Sequence, residues 1–392
     1  MLRSHWRLDP EITFLNHGSF GATPTTVLDR QEALRDQMEA EPVRFFERDL
    51  ETMWDTAQQA LADFVGADVD DIAFVTNATA GVNAVLRSLT FEPGSEIIVT
   101  DHGYEACRNA VEYVAKRSSA TVVVVPIPFP PADQASVTDA IADAVTPRTV
   151  LALVDHVTSP TGLVFPVGDI VAALEHRGVD VLVDGAHAPG MLDLDIDAIG
   201  AAYYTGNCHK WMCAPKGVGF LHVRRDRQSA VVPTVISHGA SSTRSDRSPF
   251  RQLFAWTGTA DASAQLCVPD AMDAMASMVP GGWKEIRRRN HELAYAGGSM
   301  VHDAVGVGPA VAENFVGSLM AIRLPDGPGR AHGKPGELQN RLLFRHRIEV
   351  PIVDWPATPQ RLVRISAQVY NEESEYRYLA EALAAELRDP GV

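Results

Sequence analysis

Val181-Leu182-Val183-Asp184-Gly185-Ala186-His187 is an apolar run ending in a carboxylate. Downstream, Tyr203-Tyr204-Thr205-Gly206-Asn207-Cys208-His209-Lys210-Trp211 brings two aromatics and a small polar run into a lysine. The first stretch has the pattern of a parallel strand buried on both faces, with a functional group at its carboxyl end. The second reads as a strand and a loop, after which Ala214-Pro215-Lys216-Gly217-Val218-Gly219-Phe220 turns back into an apolar strand. A lysine held there loses solvent, and a desolvated amine gives up its proton more readily and can condense with a carbonyl. A lone lysine near a hairpin is an ordinary surface residue; the aspartate on the preceding strand end is what gives Lys210 its interest.

The same strand-and-polar-end pattern recurs upstream. Ile72-Ala73-Phe74-Val75 runs into Thr76-Asn77-Ala78-Thr79, a small-residue turn that opens a helix. The free N–H groups and positive dipole end of such a helix suit a phosphate, and Thr79 adds a hydroxyl. The glycines of a dinucleotide fingerprint are absent, so a phosphate monoester fits better than NAD. Glu96–Thr100 ends in Asp101-His102-Gly103-Tyr104, where His102 or Tyr104 could stack on a planar ring. Thr121–Val125 is another strand, and Val150–Val154 ends in Asp155-His156-Val157-Thr158-Ser159. Strands alternating with helices predict an α/β fold around a doubly wound, mainly parallel sheet, with its ligand crevice outside the strand carboxyl ends.

The flanks read differently. Phe14-Leu15-Asn16-His17-Gly18-Ser19-Phe20-Gly21 is a loop, followed by helical patterns over Thr26–Met38 and Asp49–Val65. Ser237 to Pro249 is a long polar loop, disordered or functional, and Trp256-Thr257-Gly258-Thr259 follows it. Helical patterns over Ala262–Met278, Glu285–Val305 and Glu372–Leu387, with strands near Ser318–Leu324 and Leu362–Ser366, predict a smaller α+β domain. Two domains are expected from 392 residues: 1–265, an N-terminal segment with the large domain, and 266–392, the small one.

A net charge of −16 argues against nucleic acid, whose phosphates demand basic patches. No apolar run is long enough for a membrane span. Cys107, Cys208, Cys213 and Cys267 show neither CxxC pairing nor metal-ligand spacing, so no metal is expected. With no apolar leader pattern near Met1, a cytoplasmic protein with reduced thiols is expected.

An aspartate on one strand end and a lysine on the next loop are what pyridoxal 5'-phosphate requires: the lysine holds the aldehyde, and the aspartate keeps the pyridine nitrogen protonated. VDGAHAPG together with TGNCHKW, and weaker matches from Asn16 to Asn371, resemble the fold-type I pyridoxal-phosphate enzymes of the class V aminotransferase superfamily, specifically the isopenicillin N epimerase-like branch. The resemblance covers essentially the whole chain. It implies that Lys210 holds the cofactor, that Asp184 partners its ring nitrogen, and that His187 lies near its ring hydroxyl. Ala78, Thr79, Asn207 and His209 match the phosphate site, and Thr259 matches a residue donated by a neighbouring subunit, which makes a homodimer with shared active sites the expected assembly. Either His102 or Tyr104 would stack on the ring, Ser159 stands where many relatives have an asparagine near the cofactor, and Arg364 would grip the α-carboxylate of an amino-acid substrate. Asn16, His17 and Gly18, the Arg44-Phe45-Phe46 region and the 237–249 loop would shape the side-chain pocket.

Cysteine desulfurases of this superfamily carry a nucleophilic cysteine in the small domain, and no cysteine follows Cys267 here. The remaining expectation is chemistry at an amino-acid Cα: C–S β-elimination of a cysteine S-conjugate in antibiotic-type metabolism first. Epimerisation, with Tyr104 or His102 as the opposing acid, comes next, then transamination or decarboxylation coupled to oxidative deamination. A non-enzymatic binding module is disfavoured by the joint presence of Lys210, Asp184 and Arg364.

Overall fold

The computed structural model describes residues 2–331 and 334–388. The apolar runs form a seven-stranded sheet: β1 (Ile72–Val75), β2 (Glu96–Thr100), β3 (Thr121–Val125), β4 (Thr149–Asp155), β5 (Asp180–Gly185), β6 (Tyr203–Asn207) and β7 (Gly219–Val223). Their order across the sheet is β1-β7-β6-β5-β4-β2-β3. β2 to β6 pair in parallel, whereas β7 lies antiparallel to both β6 and β1. The reversal follows from the short return after Lys210, too short for a right-handed crossover helix.

Along β4 and β5 successive side chains enter opposite cores, as the period of two requires. Ala152, Val154, Val181 and Val183 join the larger core, and Leu151, Leu153 and Leu182 the other. By this alternation Asp155 and Asp184 share the face of Leu153 and Leu182, which the helices Ala78–Ser88 and Glu105–Ser118 cover with Val82, Val85, Cys107 and Val111. The helix Glu105–Ser118 and the helix Gln134–Asp143 were not singled out in the sequence. Their signals are an apolar spacing at Cys107, Val111 and Val114 and a capping box between Asp133 and Ser136.

The smaller unit is an antiparallel sheet of β8 (Leu319–Leu324), β9 (Ile352–Asp354) and β10 (Arg361–Ser366), ordered β9-β10-β8 and backed by the helices Gly282–Val305 and Glu373–Arg388. The helical pattern over Ala262–Met278 is realised as two helices, Ser263–Leu266 and Val268–Ala276, and Pro269 falls in the first turn of the second. The N-terminal segment belongs with this smaller unit in space. Thr13 and Phe14 pair in parallel with Ile348 and Glu349, and Asn371 donates to the Phe14 carbonyl. The 237–249 loop is not loose: Arg244 and Arg247 pair with Glu51, and Arg247 also with Asp55, binding it to the helix Leu50–Val65. Among the described residues no helix is long and apolar enough to cross a membrane.

Candidate active site

A cleft of about 400 Å³ opens at the carboxyl ends of the parallel strands. Lys210, Asp184, His187, Asn207, His209, Ala78, Thr79, Tyr104 and Ser159 all line it, so stretches far apart in the sequence meet there.

Asp184 is the penultimate residue of β5 and is buried. Its Oδ1 accepts from the Ala186 N–H at 3.0 Å and its Oδ2 from the Cys107 thiol at 3.1 Å. Burial and the Asp184 charge push that thiol far up, so Cys107 stays a neutral donor. Beside it, Asp155 pairs with Asp184 in register and also lines the cleft. Burial first, then the Asp184 charge, raises the Asp155 carboxyl well above the usual range. Two carboxylates side by side hold one negative charge more easily than two. In sequence Asp155 carries the same signal as Asp184, an apolar run, Val150–Val154, ending in a carboxylate.

Lys210 sits half-buried on the loop after β6, its Nζ 3.1 Å from Nε2 of His187. Burial lowers its ammonium to about 8, Asp184 opposing and Arg364 assisting. The loop is held from behind by the N-terminal segment. Gly21 has φ of +71°, and a Cβ there would lie 2.1 Å from the His209 carbonyl oxygen, so only glycine allows this approach. Opposite, the helix Ala78–Ser88 points its start at the cleft. Asn207 accepts from the Ala78 N–H at 2.8 Å and Asn77 from the Ala80 N–H at 2.9 Å. His209 donates or accepts through Nδ1 at the Val218 carbonyl, 2.9 Å away; a carbonyl only accepts, so Nδ1 carries the proton.

The expected positions of His102, Asn16, His17 and Gly18 need correcting. His102 is fully buried outside the cleft, with Nδ1 2.7 Å from Thr161 Oγ1, Nε2 2.9 Å from the Ile127 carbonyl and its ring against Trp355. Both nitrogens are committed, and Tyr104, 43% exposed, is the one of the pair on the cleft. Asn16, His17 and Gly18 do not line it either. Asn16 donates to Glu349, His17 bridges Tyr370 and the Lys210 carbonyl, and the Gly18 N–H donates to Ser366. They join the two units, and the loop instead presents Ser19 and Phe20. Thr259 is exposed and lies outside this chain's cleft lining. Arg364 is buried behind the wall: its guanidinium donates to the Ser159 carbonyl and, at 3.2 Å, to Ser19 Oγ, while Nε has no partner among the described residues. Burial lowers its pKa to about 10, so it remains a cation.

These groups fit a phosphorylated pyridoxal: a helix start for the phosphate, a buried carboxylate for the ring nitrogen, an amine of lowered pKa for the aldehyde, and a buried cation with an unused donor for a carboxylate. Fold and site together are those of a pyridoxal-phosphate enzyme. Residues 14–294 match the aminotransferase class-V family, and the chain belongs to it. It is 36% identical to an isopenicillin N epimerase of Streptomyces clavuligerus, over 98% of this chain and 97% of that one. It is 30% identical to a probable chloroplastic L-cysteine desulfhydrase of Arabidopsis thaliana, over 97% of this chain and 84% of the relative. In fold it is similar to the cystine C-S lyase C-DES in complex with cysteine persulfide, with a TM-score of 0.81 at 23% identity over 96% of this chain and 98% of that chain.

Proposed function

We propose that this enzyme catalyses C–S β-elimination on a cysteine S-conjugate. Elimination asks for one base at Cα and a leaving group that departs unaided. The observation carrying this reading is Lys210, the amine on the cleft with its ammonium lowered to about 8. Arg364 would hold the α-carboxylate through Nε and the guanidinium edge now turned to Ser19 and Ser159, a bidentate geometry that lysine does not offer. The cofactor, when bound, supplies an electron sink for the charge left on Cα, and Asp184 is the partner that keeps its ring nitrogen protonated. Lys210 takes the Cα proton, the Cβ–S electron pair leaves with sulfur as a thiolate, and water converts the remaining three-carbon fragment to pyruvate and ammonia. Thr79 and the helix start at Ala78, with Asn207 and His209, would hold the phosphate. Tyr104 would cover the ring.

Epimerisation is the second reading. It requires an acid across from Lys210, and Tyr104 is a cleft phenol whose pKa burial raises, so it keeps its proton at neutral pH. The 36% identity to an isopenicillin N epimerase favours it. Incubation with cysteine S-conjugates and with penicillin-type amino acids, followed by mass spectrometry and chiral analysis, separates the two. Free thiol with pyruvate supports elimination; recovery of intact substrate inverted at Cα, without thiol, overturns it.

We also propose a homodimer in which Thr259 and part of the 237–249 loop complete the partner's site, since both are exposed and Thr259 lies off its own cleft. Mixing inactive Lys210→Ala and Thr259→Ala chains should then restore up to about half of wild-type activity per heterodimer. No recovery, with exchange confirmed by native mass spectrometry, rejects the shared site.

A further inference from the structure

Trp211 follows Lys210 and is fully buried, with its ring 4.9 Å from that of His17. Its indole Nε1–H donates to Nδ1 of His187 at 3.3 Å. An indole nitrogen only donates, so His187 Nδ1 is an acceptor and carries no proton. Burial holds the His187 imidazolium well below its ordinary range, so the ring is neutral and has one N–H. That proton therefore sits on Nε2, which faces Lys210 Nζ at 3.1 Å. Two donors cannot share one hydrogen bond, and the contact is satisfied when Nζ accepts through its lone pair. We propose that Trp211 is a positioning residue: its N–H fixes His187 as the Nε2–H tautomer and thereby biases Lys210 toward the free, accepting amine.

The inference rests on the reading of Lys210 as the cofactor-holding lysine and adds how the chain prepares it. Other charged and titratable groups act on the same amine. Asp184 and Asp155 at the strand ends and Cys107 on the helix Glu105–Ser118 favour its charged form, and Arg364 of β10 disfavours it. The Trp211–His187 pair acts differently, by denying the ammonium an acceptor. Without the indole donor, His187 is free to move its proton to Nδ1 and accept from a charged Lys210. With the cofactor bound, His187 would keep that Nε2–H as a donor toward it.

The test is made on cofactor-stripped protein, so turnover plays no part. Histidine 15N shifts in the wild type, with the His187 signal assigned by its loss in His187→Gln, should report the Nε2–H tautomer; an Nδ1–H ring at neutral pH overturns the proposal without any variant of Trp211. Lysine 13Cε titration reads the second half, and with five lysines in the chain the Lys210 signal is assignable. Site-specific replacement of Trp211 by benzothienylalanine keeps the ring's shape and removes the donor, and Trp211→Phe removes the donor with some volume. Both should raise the Lys210 midpoint by about one pH unit, a tenfold loss of free amine below that midpoint. An unchanged midpoint in the shape-preserving variant overturns the proposal. Borohydride reduction that still fixed the cofactor to the chain in Lys210→Ala would instead reject the role of Lys210 and leave the tautomer result standing.

Discussion

The floor of the cleft and the wall above it are built by opposite means. Asp155, Asp184, Asn207 and Lys210 stand at or just past the ends of adjacent strands, where register fixes their spacing and buried partners take up their polar atoms. The wall is assembled from Ser19 and Phe20 near the N-terminus and Ser159 after β4, with Arg364 of the small sheet buried behind them. It leaves a buried guanidinium nitrogen unmatched and a phenyl ring 75% exposed. Register gives the floor a geometry that no ligand has to create, as a cofactor held through every turnover requires. The wall keeps unsatisfied groups, as a site that exchanges substrate and product requires.

The sharpest way to break this contrast is at the floor. Lys210→Ala should abolish covalent attachment of the cofactor to the chain on borohydride reduction and lower turnover by about 10³-fold or more, while the melting temperature stays near wild type. Appreciable activity in that variant would move the base elsewhere. At the wall, Arg364→Lys should leave that attachment intact and raise KM about tenfold or more, because a point charge replaces a planar fork. If KM held and the attachment were lost, floor and wall would not be separable.

Asp155→Asn sharpens the account of the floor through pH. Burial and the Asp184 charge raise the folded-state pKa of Asp155 above its unfolded value. The wild type therefore has the associated stability below the unfolded carboxyl value of about 4 and loses it as pH rises through the raised folded value. Asparagine cannot ionise, so the melting temperature of the variant relative to wild type should climb with pH above that point, by about 2 °C or more. Parallel curves for the two proteins would mean that Asp155 is charged like an ordinary carboxylate. The smallest effect is expected at Phe20→Ala. Its stability should change by less than about 0.5 kcal/mol, and KM should rise only for substrates with a bulky sulfur substituent. A uniform rise across substrates would make Phe20 part of the carboxylate grip.

The same contrast explains what was legible in the sequence. Strand runs ending in polar groups announced the parallel core, Asp184 and the Lys210 loop, because a period of two and a carboxyl-end crevice are local patterns with one physical outcome. The wall was read less well. Asn16, His17 and Gly18 form a conspicuous loop motif, yet they bond to Glu349, Tyr370 and Ser366 across the chain, and the cleft receives the plainer Ser19 and Phe20. Which of His102 and Tyr104 faces the cleft depended on Thr161 and the Ile127 carbonyl, distant partners that no local pattern reveals.

The pairing of Thr13–Phe14 with Ile348–Glu349 has a bearing on biogenesis. A chain emerging from the ribosome can assemble strands β1 to β7 in order, but its first residues have no strand to join until position 349 is free of the exit tunnel. Gly21, a few residues further on, backs the loop that carries Lys210. The cleft is thus among the last parts of the molecule to close, and a nascent chain that stalls short of its small sheet would hold Asp184 in place with its amine still unbraced.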